Sequence, residues 1–85
     1  MILEKLVIKY IRGAEHALNE IGEIPDTVQL DEEGAKRVFE SAKRYLEDAK
    51  YYQQEGKLET SLTSVAYCEG LLDALRLLGA VEFTW

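Results

Sequence analysis

The chain has 85 residues, of which 47% are hydrophobic and 31% are charged, and its formal net charge at pH 7 is -6. This length accommodates one hydrophobic core, and the composition is typical of a compact soluble domain. The negative charge disfavours binding to a nucleic-acid backbone. A chain with one cysteine and one histidine also lacks the ligands of a zinc site.

The first predicted helix spans about residues 2–22. Apolar residues recur in it every three or four positions, and they are Leu3, Leu6, Val7, Tyr10, Ala14, Ala17, Leu18 and Ile21. Gly22 is placed to end the helix in the left-handed conformation, and Pro25 prevents its continuation. Every apolar run stays below the roughly 20 residues of a membrane span, and there is no signal-peptide core. We therefore expect a cytoplasmic protein without membrane contact.

A basic stripe runs along the same helix and consists of Lys5, Lys9, Arg12 and His16. One interpretation is docking to an acidic partner or a phosphate. Because the chain is negatively charged overall, we favour a solvated flank that offsets the acidic third helix. His16 has no evident carboxylate partner and no neighbouring nucleophile, so the pattern predicts no nucleophilic chemistry.

Two further helices and an apolar tail follow, and they span about residues 31–55, 58–78 and 80–85. Asp31 is the expected N-cap of the second helix, and Gly56 ends it. Cys68 lies among apolar residues and is interpreted as a buried side chain in a reducing cytosol. Because short connections force neighbouring helices to run antiparallel, we predict an all-α fold, a single antiparallel up-and-down three-helix bundle over residues 1–85.

The hairpin of the second and third helices carries polar residues that simple helix packing does not require. The candidate ligand-binding residues are Asp48, Tyr52, Ser64, Tyr67, Glu69, Gly70 and Asp73. If the turn is centred near Lys57, the polar faces of the two helices meet, and a carboxylate with several phenols can bind a ligand. The alternative is structural: Asp48 accepts a hydrogen bond from the hydroxyl of Tyr67, and Ser64 bonds back to its own helix.

Two of these positions have competing explanations. Gly70 lies inside a helix, where glycine costs about 1 kcal/mol relative to alanine. We favour close approach of the second helix near Arg44 or Tyr45 over space for a ligand. Glu69 and Asp73 are one turn apart and suit a divalent cation if other oxygens join them, but pairing of Asp73 with Arg76 is the simpler prediction.

The hairpin also resembles a known family. The residues that carry the resemblance are Asp48–Tyr52, Glu55–Lys57, Ser64–Arg76 and Leu78–Gly79. They are similar to those of DUF357, a small archaeal family of unknown function. The resemblance implies a three-helix up-and-down bundle, an archaeal source and no catalytic residues to transfer. Some relatives look as if they carry this module beside a nucleotidyltransferase-like domain, which implies an accessory role.

The function expected from these observations is that of a non-enzymatic helical module, without catalytic residues, metal or cofactor, that binds another protein or itself. An exposed aromatic tail ending in Phe83 and Trp85 would provide an association surface. The alternative is a small-ligand or nucleotide-binding domain that uses the polar face of the hairpin.

Overall fold

The computed structural model describes residues 2–85 and contains three helices, α1 (Ile2–Ile21), α2 (Glu32–Gln54) and α3 (Leu58–Leu77). No strand occurs among these residues, which confirms the all-α class. None of the described helices combines the length and the apolar character that crossing a membrane requires.

The connection between α2 and α3 is short and tightly bonded. Gly56 has a φ of 75°, a left-handed conformation that glycine adopts without a steric penalty. The backbone nitrogen of Lys57 donates to the carbonyl of Tyr52 at 2.9 Å, and that of Gly56 donates to Gln53 at 3.1 Å. This is the bonding of a Schellman helix ending. Because so few residues separate the helices, α3 folds back antiparallel to α2.

At the other end of α2, the side chain of Asp31 accepts a hydrogen bond from the backbone nitrogen of Gly34, as predicted for an N-cap. Glu32 and Glu33 occupy the first turn, where a negative charge interacts favourably with the helix dipole. The local sequence thus fixes both ends of α2.

The core of the protein lies between α2 and α3. Its buried residues are Ala42 and Ala49 on α2 and Cys68 and Leu75 on α3. Each pair is spaced by seven residues, so its members lie on one face of their helix. The hydroxyl of Ser61 donates to the carbonyl of Ala49 at 2.7 Å and joins the helices near the turn. The antiparallel packing predicted for these two helices is therefore present.

The first helix stands apart from this hairpin. Within residues 2–85, no Cα of α1 lies within 8 Å of a Cα of α2 or α3, and α1 has no buried residue. α1 is therefore not packed against the hairpin of its own chain, although the predicted three-helix bundle requires this packing. The chain exposes 7590 Å², whereas a compact monomer of 9.7 kDa exposes roughly 5,100 Å².

The C-terminal tail turns back over the end of the hairpin. The indole nitrogen of Trp85 donates to Asp73 at 3.4 Å, and the rings of Phe83 and Trp85 meet edge-on at 4.9 Å. Val81 and Ala80 lie beside Phe39 of α2. The tail therefore packs on its own chain at the end of the hairpin, while Trp85 remains 68% exposed.

Candidate functional site

The α2–α3 hairpin has two long open sides that differ in chemistry. The polar side carries a shallow groove lined by Ser41, Tyr45, Tyr67 and Leu71, among others. Most of the candidate ligand-binding residues lie on or near this side, because they are spaced by three or seven residues from Tyr45 or Tyr67. They are Asp48, Tyr52, Ser64 and Gly70, together with Tyr67 itself.

The polar side is organised by an aromatic pair rather than by a carboxylate. The rings of Tyr45 and Tyr67 stack with centroids 4.4 Å apart and an angle of 32° between their planes. Such a pair contributes about 0.5–1.5 kcal/mol beyond the area that it buries. Asp48 is exposed and forms no hydrogen bond with Tyr67, so the prediction that Asp48 clasps Tyr67 is wrong. The reason is the helix register, which places Tyr67 on Tyr45, one turn before Asp48.

The remaining polar candidates do not converge on a common point. Tyr52 is half-buried and packs edge-on against Tyr51 at 5.3 Å. Ser64 is half-buried and Glu69 is exposed. The predicted bond from Ser64 to its own helix is absent, and it is the neighbouring Thr63 whose hydroxyl donates to the carbonyl of Glu59 at 3.0 Å. These side chains line an open surface and do not enclose a cavity.

Gly70 lies on an exposed part of α3. A Cβ added at this position would meet no heavy atom within 4 Å. The predicted close approach of α2 near Arg44 or Tyr45 is therefore wrong. Contact between the helices passes through Tyr67 and Leu71, and the helical rotation of about 100° per residue turns Gly70 away from α2.

Gly70→Ala is expected to stabilise the protein by about 1 kcal/mol, because alanine is the better helix former and the added methyl group meets no neighbour. Urea denaturation measures the change. Gly56→Ala is the matched control and should destabilise, because Gly56 has a φ of 75°. A loss of stability in Gly70→Ala would contradict the exposed position of Gly70.

Asp73 is the best-bonded candidate residue. Its Oδ1 accepts hydrogen bonds from Nε of Arg76 at 3.0 Å and from the terminal nitrogen of Arg76 at 2.6 Å, as the three-residue spacing predicts. The Arg76 guanidinium also lies 5.9 Å from the ring centroid of Phe83. The hydrogen bonds from Arg76, followed by that from Trp85, lower the pKa of Asp73. Asp73 thus links α3 to the tail.

The lowered pKa of Asp73 leads to a prediction about its titration and its contribution to stability. A lowered pKa in the folded state means that the carboxylate stabilises the fold above its unfolded pKa and loses this contribution as the pH falls through the folded value. We expect Asp73 to titrate below an ordinary aspartate in NMR spectra, and Arg76→Gln to raise its pKa towards the ordinary range. Lys50→Gln, which removes a cation from another helix, is the control. An unchanged Asp73 pKa in Arg76→Gln would refute the role of the pair.

Cys68 and His16 are two titratable side chains outside the set of candidate ligand-binding residues. Among the described residues, no group of three or more His, Cys, Asp and Glu side chains is placed to hold a metal ion. Burial, followed by the charge of Glu69, raises the pKa of the Cys68 thiol, which keeps it protonated and unreactive. His16 does have a carboxylate partner, Glu20, at 3.1 Å. The sequence interpretation missed this pair although its four-residue spacing indicates it.

A further feature with functional potential is the uncovered apolar stripe of α1. We use this name for Leu3, Leu6, Val7, Tyr10, Ala14, Ala17, Leu18 and Ile21, all of which are exposed. Sequence reasoning identified the stripe but assigned it to an internal core. The basic stripe of Lys5, Lys9, Arg12 and His16 occupies the opposite face of α1.

The fold and its surfaces define a small all-α module, a helical hairpin joined to an amphipathic helix. The family model described as "Protein of unknown function (DUF357)" matches residues 9–81, and the chain belongs to this family. The match begins within α1, so the family includes most of the amphipathic helix as well as the hairpin. Comparisons with curated proteins and with solved structures found no significant match.

Proposed function

We propose that this protein is a binding module that associates with another protein chain through the apolar stripe of α1. The single observation that carries the proposal is that, within the described residues, no Cα of α1 lies within 8 Å of a Cα of α2 or α3, while the apolar residues of α1 stay exposed. Contiguous exposed apolar surface of this kind marks interaction sites in soluble proteins.

The energetics of an isolated helix support the same function. α1 has 20 residues, and a helix of that length without tertiary contacts is only marginally stable in water. Most helical stability in proteins comes from packing an amphipathic face, and covering apolar surface contributes roughly 25 cal/mol per Å². Binding therefore supplies the stability that α1 lacks on its own.

Hydrogen exchange tests the proposal on the intact chain. In a dilute sample that sediments as a monomer, the amides of α1 should exchange much faster than those of α3, since local stability follows buried contacts. In an associated state they should become protected. Equal protection of α1 and α3 in a strictly monomeric sample would refute the proposal, because the stripe would then be covered within the chain.

A second candidate function is binding of a small ligand on the polar side of the hairpin. It is supported by the open groove beside the Tyr45–Tyr67 pair and by the free space at Gly70. Asp48, Tyr52 and Ser64 would supply its polar contacts, whereas Glu69 and Asp73 face another side of α3. A thermal-shift screen of nucleotides and divalent cations tests it, because a bound ligand raises the melting temperature by mass action. If no compound raises the melting temperature, this candidate fails.

A further inference from the structure

The nature of the partner follows from a second uncovered surface on the same chain. Resting on the binding function proposed above, we infer that the apolar stripe of α1 docks on the hairpin of a second copy, and that two copies exchange their first helices reciprocally. Each hairpin then completes a three-helix bundle with a helix from its partner.

The acceptor is the side of the hairpin opposite the Tyr45–Tyr67 pair. Phe39 and Leu46 lie seven residues apart on α2 and are 41% and 38% exposed. Val65 and Leu72 lie seven residues apart on α3 and are half-buried. A spacing of seven residues keeps each pair on one face of its helix. We call these four residues the open apolar face of the hairpin.

α1 and α2 both carry the pattern of helices that pair along their length. Apolar positions separated alternately by three and four residues pack side by side in helical bundles. Such positions on α1 are Leu3, Val7, Tyr10, Ala14, Ala17 and Ile21. The corresponding positions on α2, the helix that packs against α3, are Ala35, Val38, Ala42, Tyr45, Ala49 and Tyr52, all of which are buried or half-buried. α1 therefore has the residues of a bundle helix but no neighbouring helix in its own chain.

The connector between α1 and α2 contains Pro25 and two local backbone hydrogen bonds. The backbone nitrogen of Gly22 donates to the carbonyl of Leu18 at 3.1 Å where α1 ends, and that of Val28 donates to the carbonyl of Pro25 at 3.4 Å within the connector. Pro25 also biases Ile24 towards an extended backbone. Since no Cα of α1 lies within 8 Å of a Cα of α2 or α3 in the described chain, exchange with a second copy would form the helix contacts between chains that a three-helix bundle forms within one chain.

The dimensions agree with a stable dimer. α1 is about 30 Å long, which matches the length over which α2 and α3 pack. The chain exposes 7590 Å², which is roughly 2,500 Å² more than a compact monomer of its mass. Specific interfaces bury about 1,200–2,000 Å² in total. Burying a part of this excess surface on each of two copies is enough to form an interface of about 1,200–2,000 Å².

Complementation between two variants tests the exchange on the full chain. Val7→Asp places a charge in the apolar stripe, so this variant cannot donate α1 but keeps an intact hairpin. Leu46→Glu places a charge on the open apolar face, so this variant cannot accept α1 but can donate it. Both side chains are exposed in one chain, so each variant should keep the helical circular dichroism of its α2–α3 hairpin, even where an unpartnered α1 unfolds.

The exchange predicts that wild type sediments at twice the monomer mass of 9.7 kDa, that each variant alone is monomeric, and that their mixture forms a heterodimer. A Leu46→Glu variant that still dimerises would mean that α1 pairs with α1, and it would overturn the inference. A monomeric wild type with a rapidly exchanging α1 would overturn the second copy as partner but leave the binding function intact. A monomeric wild type with a protected α1 would overturn both.

Discussion

Leu75→Ala is expected to lower the free energy of unfolding by about 2–5 kcal/mol. Leu75 is 2% exposed and is the largest fully buried side chain between α2 and α3. Removal of three carbon atoms loses their transfer free energy and leaves a cavity that two helices can close only in part. Urea denaturation at a fixed protein concentration measures the loss.

The chain offers a matched control in Leu77, which lies on the same helix and is 74% exposed. Leu77→Ala should change stability by about 0.5 kcal/mol or less. Equal losses in both variants would mean that the hairpin is not the centre of the core, and that the helix pairing described here is incorrect.

Tyr10→Asp is expected to weaken association of the chain by at least about 100-fold, which corresponds to about 2.7 kcal/mol. Tyr10 lies in the middle of the apolar stripe of α1 and is 65% exposed in one chain. Covering an unpaired carboxylate with apolar side chains costs several kcal/mol, whereas the same carboxylate is well solvated in the free chain. Sedimentation equilibrium over a range of concentrations measures the dissociation constant.

Asn19→Asp adds the same charge on the opposite face of α1. It should leave the dissociation constant within a few-fold of wild type, because its side chain remains in solvent. If the two substitutions weaken association equally, the effect would come from overall charge, and the apolar stripe would not be the contact surface.

The three helices and their ends are predictable because the signals are local. The apolar repeat marks each helix, Asp31 caps α2, and Gly22, Gly56 and Gly79 adopt φ values of 64°, 75° and 78° just after the helices. The antiparallel pairing of α2 and α3 follows equally directly, because the turn at Gly56 leaves them no other direction.

The placement of α1 is not predictable in this way. Its apolar repeat predicts that one face of the helix is buried, but it does not predict whether the same chain or another chain buries that face. A repeat that leads to packing within one chain has the same spacing as one that leads to packing between chains.

In the candidate site, too, contacts within one helix are predictable from the sequence, whereas contacts between helices are not. Pairing of Asp73 with Arg76 is correctly predicted from a three-residue spacing. The contact partner of Tyr67 depends on the register between α2 and α3, which places Tyr67 on Tyr45. Side-chain spacing along one helix does not determine that register.

The most direct test of the central claim is an isotope-filtered NOE experiment on an equal mixture of labelled and unlabelled chains. Such spectra report contacts between different copies separately from those within one copy. The account predicts intermolecular contacts between the methyl groups of Leu6 and Val7 on α1 and those of Leu46 and Leu72 on the hairpin. The same contacts observed solely within one chain would contradict it, because α1 would then complete its own bundle.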